Sequence, residues 1–254
     1  MVVSYYDKFG EALVNFGCEY VLALKPHLPD LSNNEISDED AYLCWAYYLG
    51  MLGMEATWSV VNLARVNAVH MAFALTRALF EYLTKLEYYA LHKDEARVAY
   101  ASIPSRMVFH GNHYGNLSPE LIDAMRVHQT SWSEREPKAS FKSLFNFRRA
   151  IEGMYPRLAT RLMTEFYEVP GDFLHAANTK LHDIIGREDL ATTAYSPNKT
   201  VSDACLHFMC ILATLRDQFP QIYAANIELD MAFSDYVELA GDHFLWKEEV
   251  EGFD

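Results

Sequence analysis

The run from about Thr57 to Leu91 is nearly all apolar, keeps helical spacing and shows no polar face. A helix without a polar face must pack on several sides. This run therefore reads as one long central helix with shorter helices around it. Apolar residues recur at helical spacing elsewhere too, as in Phe9, Leu13, Phe16, Tyr20 and Leu24, and no convincing alternating strand appears. Eleven glycines and nine prolines in 254 residues are few for the turns of an all-β fold. The expectation is an all-α fold, a bundle of about eight to ten helices around the central one. It forms a single domain over residues 1–240, followed by an acidic C-terminal tail over 241–254.

Turn chemistry divides the rest of the chain. Residues 5–24 read as a first helix, and "KPHLPDLSNNEIS" reads as a loop by its two prolines and its Ser/Asn cluster. Ser37 has the character of an N-cap, with Asp40 three positions on resembling a capping box. Gly50 and Gly53 are expected to loosen what would otherwise be one very long helix. The stretch 102–120 breaks the helical pattern, and Ser118-Pro119-Glu120 restarts it with a cap and then a proline. Residues 131–140 read as another loop. Further helices are expected at roughly 141–153, 156–168, 171–186, 201–218 and 220–240, with "REDLATTAYSPNKT" as an exposed connection between two of them.

Charge narrows the function classes. The net charge is −14, and residues 228–254 hold nine acidic residues against Lys247 alone. Residues 126–161 are the opposite, with eight Arg or Lys against Glu134, Glu136 and Glu152. The mean field of an acidic protein does not steer it to nucleic acid, although a local basic face can still hold phosphate. The N-terminus lacks the basic, apolar and small-residue regions of a secretory signal, and no long uncharged apolar run appears. Those features lead to the expectation of a cytoplasmic protein with no membrane partner. Cys18, Cys44, Cys205 and Cys210 form no Cys-x-x-Cys pair and read as buried reduced thiols.

One polar stripe stands out within the central run. "AVHMAFALTRALFEYL" carries His70, Arg77 and Glu81, and steps of seven and four place all three on one helical face, which Tyr88 extends. An Arg and a Glu one turn apart can satisfy each other in an apolar setting. They can equally orient a third group or a substrate phosphate. Both readings stand at this point.

"RALFEYLTKLEYY", followed about ninety residues later by "FYEVPGDFLHAA", resembles a group of uncharacterised bacterial helical proteins, domain of unknown function 5677. The resemblance spans roughly residues 60–190. That pattern carries an Arg-x-x-x-Glu helix, then a Tyr and a His near a later helix start. Mapped here, these are Arg77, Glu81, Tyr167 and His175. The pattern has a small hydroxyl residue three before the His, where this chain has Asp172, which is also able to polarise an imidazole. The resemblance implies that these residues converge across packed helices, with His175 as general acid or base and Arg77 as anion binder. It assigns no reaction.

A remoter similarity links the chain to helical ribonucleases of the HEPN type, found in toxin–antitoxin and phage-defence systems. Their Arg-x4–6-His motif is matched by "RVNAVH", Arg65 to His70, and by "RMVFHGNH", Arg106 to His113. In the first match Val66 stands where a polar residue is typical.

Metal chemistry has less support. His175 and His182 lie seven apart with Asp172 and Asp183 nearby, and "HGNHYGN" holds two more histidines. Neither Glu-x-x-His nor His-Glu-x-x-His occurs, so a carboxylate-bridged or zincin-type site is not expected. No Gly-x-Ser-x-Gly elbow and no Gly-rich phosphate loop is present. The expectation is a nuclease-like protein acting on RNA or another phosphate-containing substrate. Its catalytic candidates are Arg77, Glu81, His175, Tyr167 and His70, its substrate-binding candidates Arg65, Asp172 and His182, and it needs no cofactor or metal. The alternatives are a non-catalytic interaction or homodimerisation module, in which Arg77–Glu81 is structural, and a metal-dependent hydrolase.

Overall fold

The computed structural model describes residues 5–29, 36–103, 118–120, 123, 126, 145–168, 170 and 196–243, with side chains between 8 and 240. The described residues form α-helices and no strand, as the apolar periodicity predicts. In chain order the helices are α1 (Tyr5–Leu22), α2 (Asp38–Arg65), α3 (Val69–Leu91), α4 (Lys93–Ala101), α5 (Phe147–Met154), α6 (Ala159–Met163), α7 (Pro197–Gln218), α8 (Pro220–Ala224) and α9 (Ile227–His243). A 3-10 turn, Lys25–His27, follows α1, and a π-helical turn, Thr164–Glu168, continues α6.

Several helix starts are capped by side chains, Ser37 among them as expected. The Ser37 hydroxyl accepts from the Asp40 backbone N–H at 3.0 Å and donates to the Asp40 carboxylate at 2.8 Å, capping α2. Asn146 accepts from the Arg149 N–H at the start of α5. Ser196, followed by Pro197, caps α7 through the Lys199 N–H, so that helix begins inside the stretch expected to be a connection. The helix expected over 220–240 is instead two, α8 and α9. The helix expected at 171–186 and the tail from residue 244 onward lie outside the described residues.

The long central run breaks where sequence periodicity does not show it. Asn67 has φ 60°, a left-handed conformation that asparagine tolerates better than most residues. The Ala68 N–H reaches the Leu63 carbonyl at 2.8 Å and the Asn67 N–H reaches the Ala64 carbonyl at 3.0 Å. That pair of bonds is a Schellman helix end, which satisfies the last carbonyls of α2 and turns the chain into α3. Conversely, α2 runs unbroken for 28 residues through both Gly50 and Gly53. A Cβ at Gly53 would lie 2.8 Å from Ile211 Cδ1, and one at Gly50 would lie 3.0 Å from Val21. These glycines bring α7 and α1 close to α2; they do not loosen it.

The main core lies among α1, α2, α3 and α7, where Leu13, Tyr20, Tyr42, Leu79, Leu86 and Phe208 are almost fully buried. Burial of each large apolar side chain stabilises by about 1.5–3 kcal/mol. An exposed ion pair contributes about 0–1 kcal/mol, so packing dominates the fold. A second, smaller core gathers Ile151, Ala159 and Met163 against Phe80 of α3. It seats residues 145–168, the helical hairpin that carries Tyr167, on the same helix as Arg77.

Candidate functional site

The sequence stripe on α3 and the later Tyr do meet. Arg77 Nε donates to Glu81 Oε1 at 3.0 Å, the one-turn spacing on a helix. Arg77 Cζ lies 3.9 Å from the centroid of the Tyr167 ring, a cation–π contact. Behind it, Tyr167 stacks on Phe147 at 4.5 Å, and Phe147 meets Phe80 edge-on at 5.5 Å. The guanidinium therefore has one face covered by an aromatic ring and its Nε edge held by a carboxylate. Among the described residues no hydrogen bond or ion pair engages its Nη1–Nη2 edge.

The exposure of the pair decides what it can contribute. Arg77 is 17% exposed and Glu81 is 40% exposed. A pair so open at its acidic end adds little to stability. It does fix the guanidinium plane, and a fixed fork suits bidentate binding of an oxyanion. Tyr167 sits on the π-helical turn, a local geometry that recurs at functional sites.

Below this cluster lies a buried neutral histidine that the sequence reading did not single out. His207 of α7 is 3% exposed, its Nδ1 has no hydrogen-bond partner, and Phe80 and Phe166 flank its ring at 5.6 and 4.9 Å. Burial pushes its pKa down to about 4. A half-buried polar contact pins the other end of the hairpin, where the Tyr155 hydroxyl donates to Glu87 Oε2 at 2.6 Å. Burial raises the Glu87 carboxyl above its usual range, and the bond from Tyr155 opposes that shift. Phe147 and Tyr155 come from more than fifty residues away, and no local signal links them to α3.

The remaining candidates fall in different places. His70 is half-buried in the first turn of α3, two turns before Arg77, and has interactions of its own. Arg65 closes α2, and its Nη2 meets Glu11 Oε2 of α1 at 2.6 Å. The helix end at Asn67 thus separates Arg65 from His70. Tyr88, the extension of the stripe, donates to Glu95 Oε2 at 2.9 Å. His175, Asp172 and His182 lie outside the described residues, as do Arg106, His113 and the "HGNHYGN" loop.

The four cysteines are free, and burial pushes Cys205 and Cys210 up to about 12 and Cys44 to about 11. A thiol so shifted is not a ready nucleophile. Among the described residues no three His, Cys, Asp or Glu side chains gather to hold a metal ion, and no helix is long and apolar enough to cross a membrane.

Comparison of the chain with protein-family models, with curated proteins and with solved structures gives no match.

Proposed function

We propose that the Arg77–Glu81–Tyr167 cluster binds the phosphate of a substrate, RNA foremost, and that the chain is a helical nuclease of the defence or toxin type. The observation that carries this reading is the guanidinium of Arg77. Its Cζ lies over the Tyr167 ring and its Nε is held by Glu81, and among the described residues no hydrogen bond or ion pair engages its Nη1–Nη2 edge. Such an edge, fixed before substrate arrives, stabilises the charge that develops on a phosphate under attack. In this reading Glu81 and Tyr167 hold Arg77, and His175 supplies the general base or acid with Asp172 polarising it. His70 is a further catalytic candidate of this reading, and Arg65 and His182 are its candidates for binding the rest of the substrate. The mechanism uses no cofactor.

The test is cleavage of a labelled single-stranded RNA by the purified chain, by Arg77→Ala and by His175→Ala. The reading expects turnover by the wild type and a loss of about a hundredfold or more in each variant. Melting temperatures should stay close to that of the wild type. Cleavage unchanged by both substitutions would end the nuclease reading.

A second reading, a non-catalytic module that pairs with itself or with another protein, draws on different residues. Ile227 and Met231 of α9 are 67% and 63% exposed, and both are large and apolar. Apolar side chains left in water mark interaction surfaces when they gather in patches. A homodimer in solution, lost in Ile227→Lys/Met231→Lys, would favour this reading.

A further inference from the structure

A cleft of about 450 Å³ opens where the starts of α2 and α4 meet the end of α7, the short α8 and the 3-10 turn. None of its lining residues belongs to the Arg77 cluster. The volume falls at the lower end of the range of about 300–1,000 Å³ for small-molecule sites. It suits a metabolite and not a polymer.

One part of the lining is apolar and fixed by the core. Tyr42 and Leu43 of α2, Phe219 between α7 and α8, and Ile222 of α8 all contribute to it, and all are buried. Tyr42 stacks on Phe219, centroids 5.6 Å apart and planes 18° apart, which ties α2 to the junction of α7 and α8. Asn226 Nδ2 donates to the Ile222 carbonyl at 2.8 Å, which holds that carboxamide in place. The apolar wall is therefore formed before any ligand arrives.

The charged part comes from other positions. Glu39 and Asp40 stand in the first turn of α2, Lys93 opens α4, and His27 closes the 3-10 turn. Asp40 is committed to the helix cap, where it accepts from the Ser37 hydroxyl at 2.8 Å. Lys93 Nζ lies 3.4 Å from Glu39 Oε1 and 5.6 Å from the centroid of the Tyr42 ring. An ammonium and a carboxylate thus stand side by side at the apolar wall. Their side chains are 33% and 71% exposed, so the pair is weak and a ligand opens it at little cost.

This lining selects among ligands. A dianion such as phosphate meets two carboxylates for one lysine, and a simple organic cation meets Lys93. A wholly apolar ligand takes water from the ion pair and returns nothing to it. A zwitterion whose two charges sit on neighbouring groups answers both, and each contact is charge-assisted. We propose that the cleft binds a free α-amino acid with an apolar side chain. Its carboxylate pairs with Lys93, its ammonium with Glu39, and its side chain lies against Leu43, Phe219 and Ile222. The site does not depend on the phosphate reading of Arg77.

Calorimetry and thermal melting of the full chain with L-leucine and with L-phenylalanine test it. At least one of the two should bind saturably and raise the melting temperature. The matching amine (isoamylamine or phenethylamine) and the matching acid (isocaproate or hydrocinnamate) should each bind about tenfold or more weakly, because each leaves one charge unmet. Glu39→Gln and Lys93→Met should each weaken binding of the amino acid about tenfold or more. Melting without ligand should stay close to wild type in both, since neither side chain is buried. Saturable binding of neither amino acid would overturn the proposal. So would an amine or acid bound as tightly as its amino acid, or affinity retained in either variant. Should a variant fail to fold, the comparison of amino acid, amine and acid on the wild type decides alone.

Discussion

Arg77 Cζ lies over the ring of Tyr167, 3.9 Å from its centroid, although ninety residues of chain separate them. Their contact brings the helical hairpin of residues 145–168 to the polar stripe of α3, and it orients the guanidinium together with Glu81. Replacing Tyr167 with alanine removes the stacking surface and leaves the charge. We expect binding of a labelled RNA oligonucleotide to weaken about tenfold in Tyr167→Ala, with a stability loss of about 1 kcal/mol. Tyr167→Phe should retain both, because the ring face carries the contact and not the hydroxyl. Fluorescence anisotropy and thermal melting check this. A Tyr167→Phe variant as impaired as Tyr167→Ala would instead assign the role to the hydroxyl.

Two buried groups give the stability a pH dependence of opposite sign. The folded-state pKa of His207 is depressed to about 4 by burial. The unfolded chain therefore binds the proton first as pH falls. Stability from this residue is present above its ordinary pKa near 6.5 and is lost as pH drops toward 4, by about 3 kcal/mol. Glu87 runs the other way, since burial raises its folded-state pKa. Its contribution is full below the ordinary carboxyl range and declines as pH rises through the raised value. Urea denaturation between pH 4 and 8 should show a flatter acid limb in His207→Leu and a flatter decline toward neutral pH in Glu87→Gln. Unchanged pH profiles in both variants would contradict the burial of these groups.

Close helix contact at glycine can be tested by adding one methyl group. A Cβ at Gly17 of α1 would lie 2.4 Å from the ring of Phe208, whereas one at Gly153 of α5 meets nothing within 4 Å. Gly17→Ala should destabilise by about 1–3 kcal/mol, because a fully buried ring has nowhere to move. Gly153→Ala should be neutral or stabilise by up to about 1 kcal/mol, because it lowers the entropy of the unfolded chain at a helical position. The midpoints of chemical denaturation separate the two. Equal losses would mean that α1 and α7 are not packed as closely as Gly17 requires.

Much of this fold was legible in the sequence, because helical periodicity and capping are local. Ser37 capped α2 as expected, and the Arg77–Glu81 spacing gave the observed ion pair. The break at Asn67 was not legible, since one left-handed residue leaves the apolar period of Val60, Val61 and Ala64 intact up to the turn and that of α3 intact after it. Gly50 and Gly53 misled for the reason that makes them useful. A glycine that loosens an isolated helix also lets a neighbour approach, and only the tertiary structure tells the two apart. The later Tyr of the resemblance does pack against Arg77, but Phe147 and Tyr155 share no local pattern with α3. Their place follows from the small core around Phe80.

In the proposed phosphate site Arg77 recognises its ligand through the geometry of its fork and not through charge alone. Arg77→Lys keeps the charge and removes both the planar stacking on Tyr167 and the paired donors. Affinity for a labelled single-stranded RNA, measured for wild type and Arg77→Lys at equal ionic strength, tests this most directly. A loss of at least about tenfold is expected in Arg77→Lys, with melting close to wild type. Equal affinity in the two proteins would contradict it.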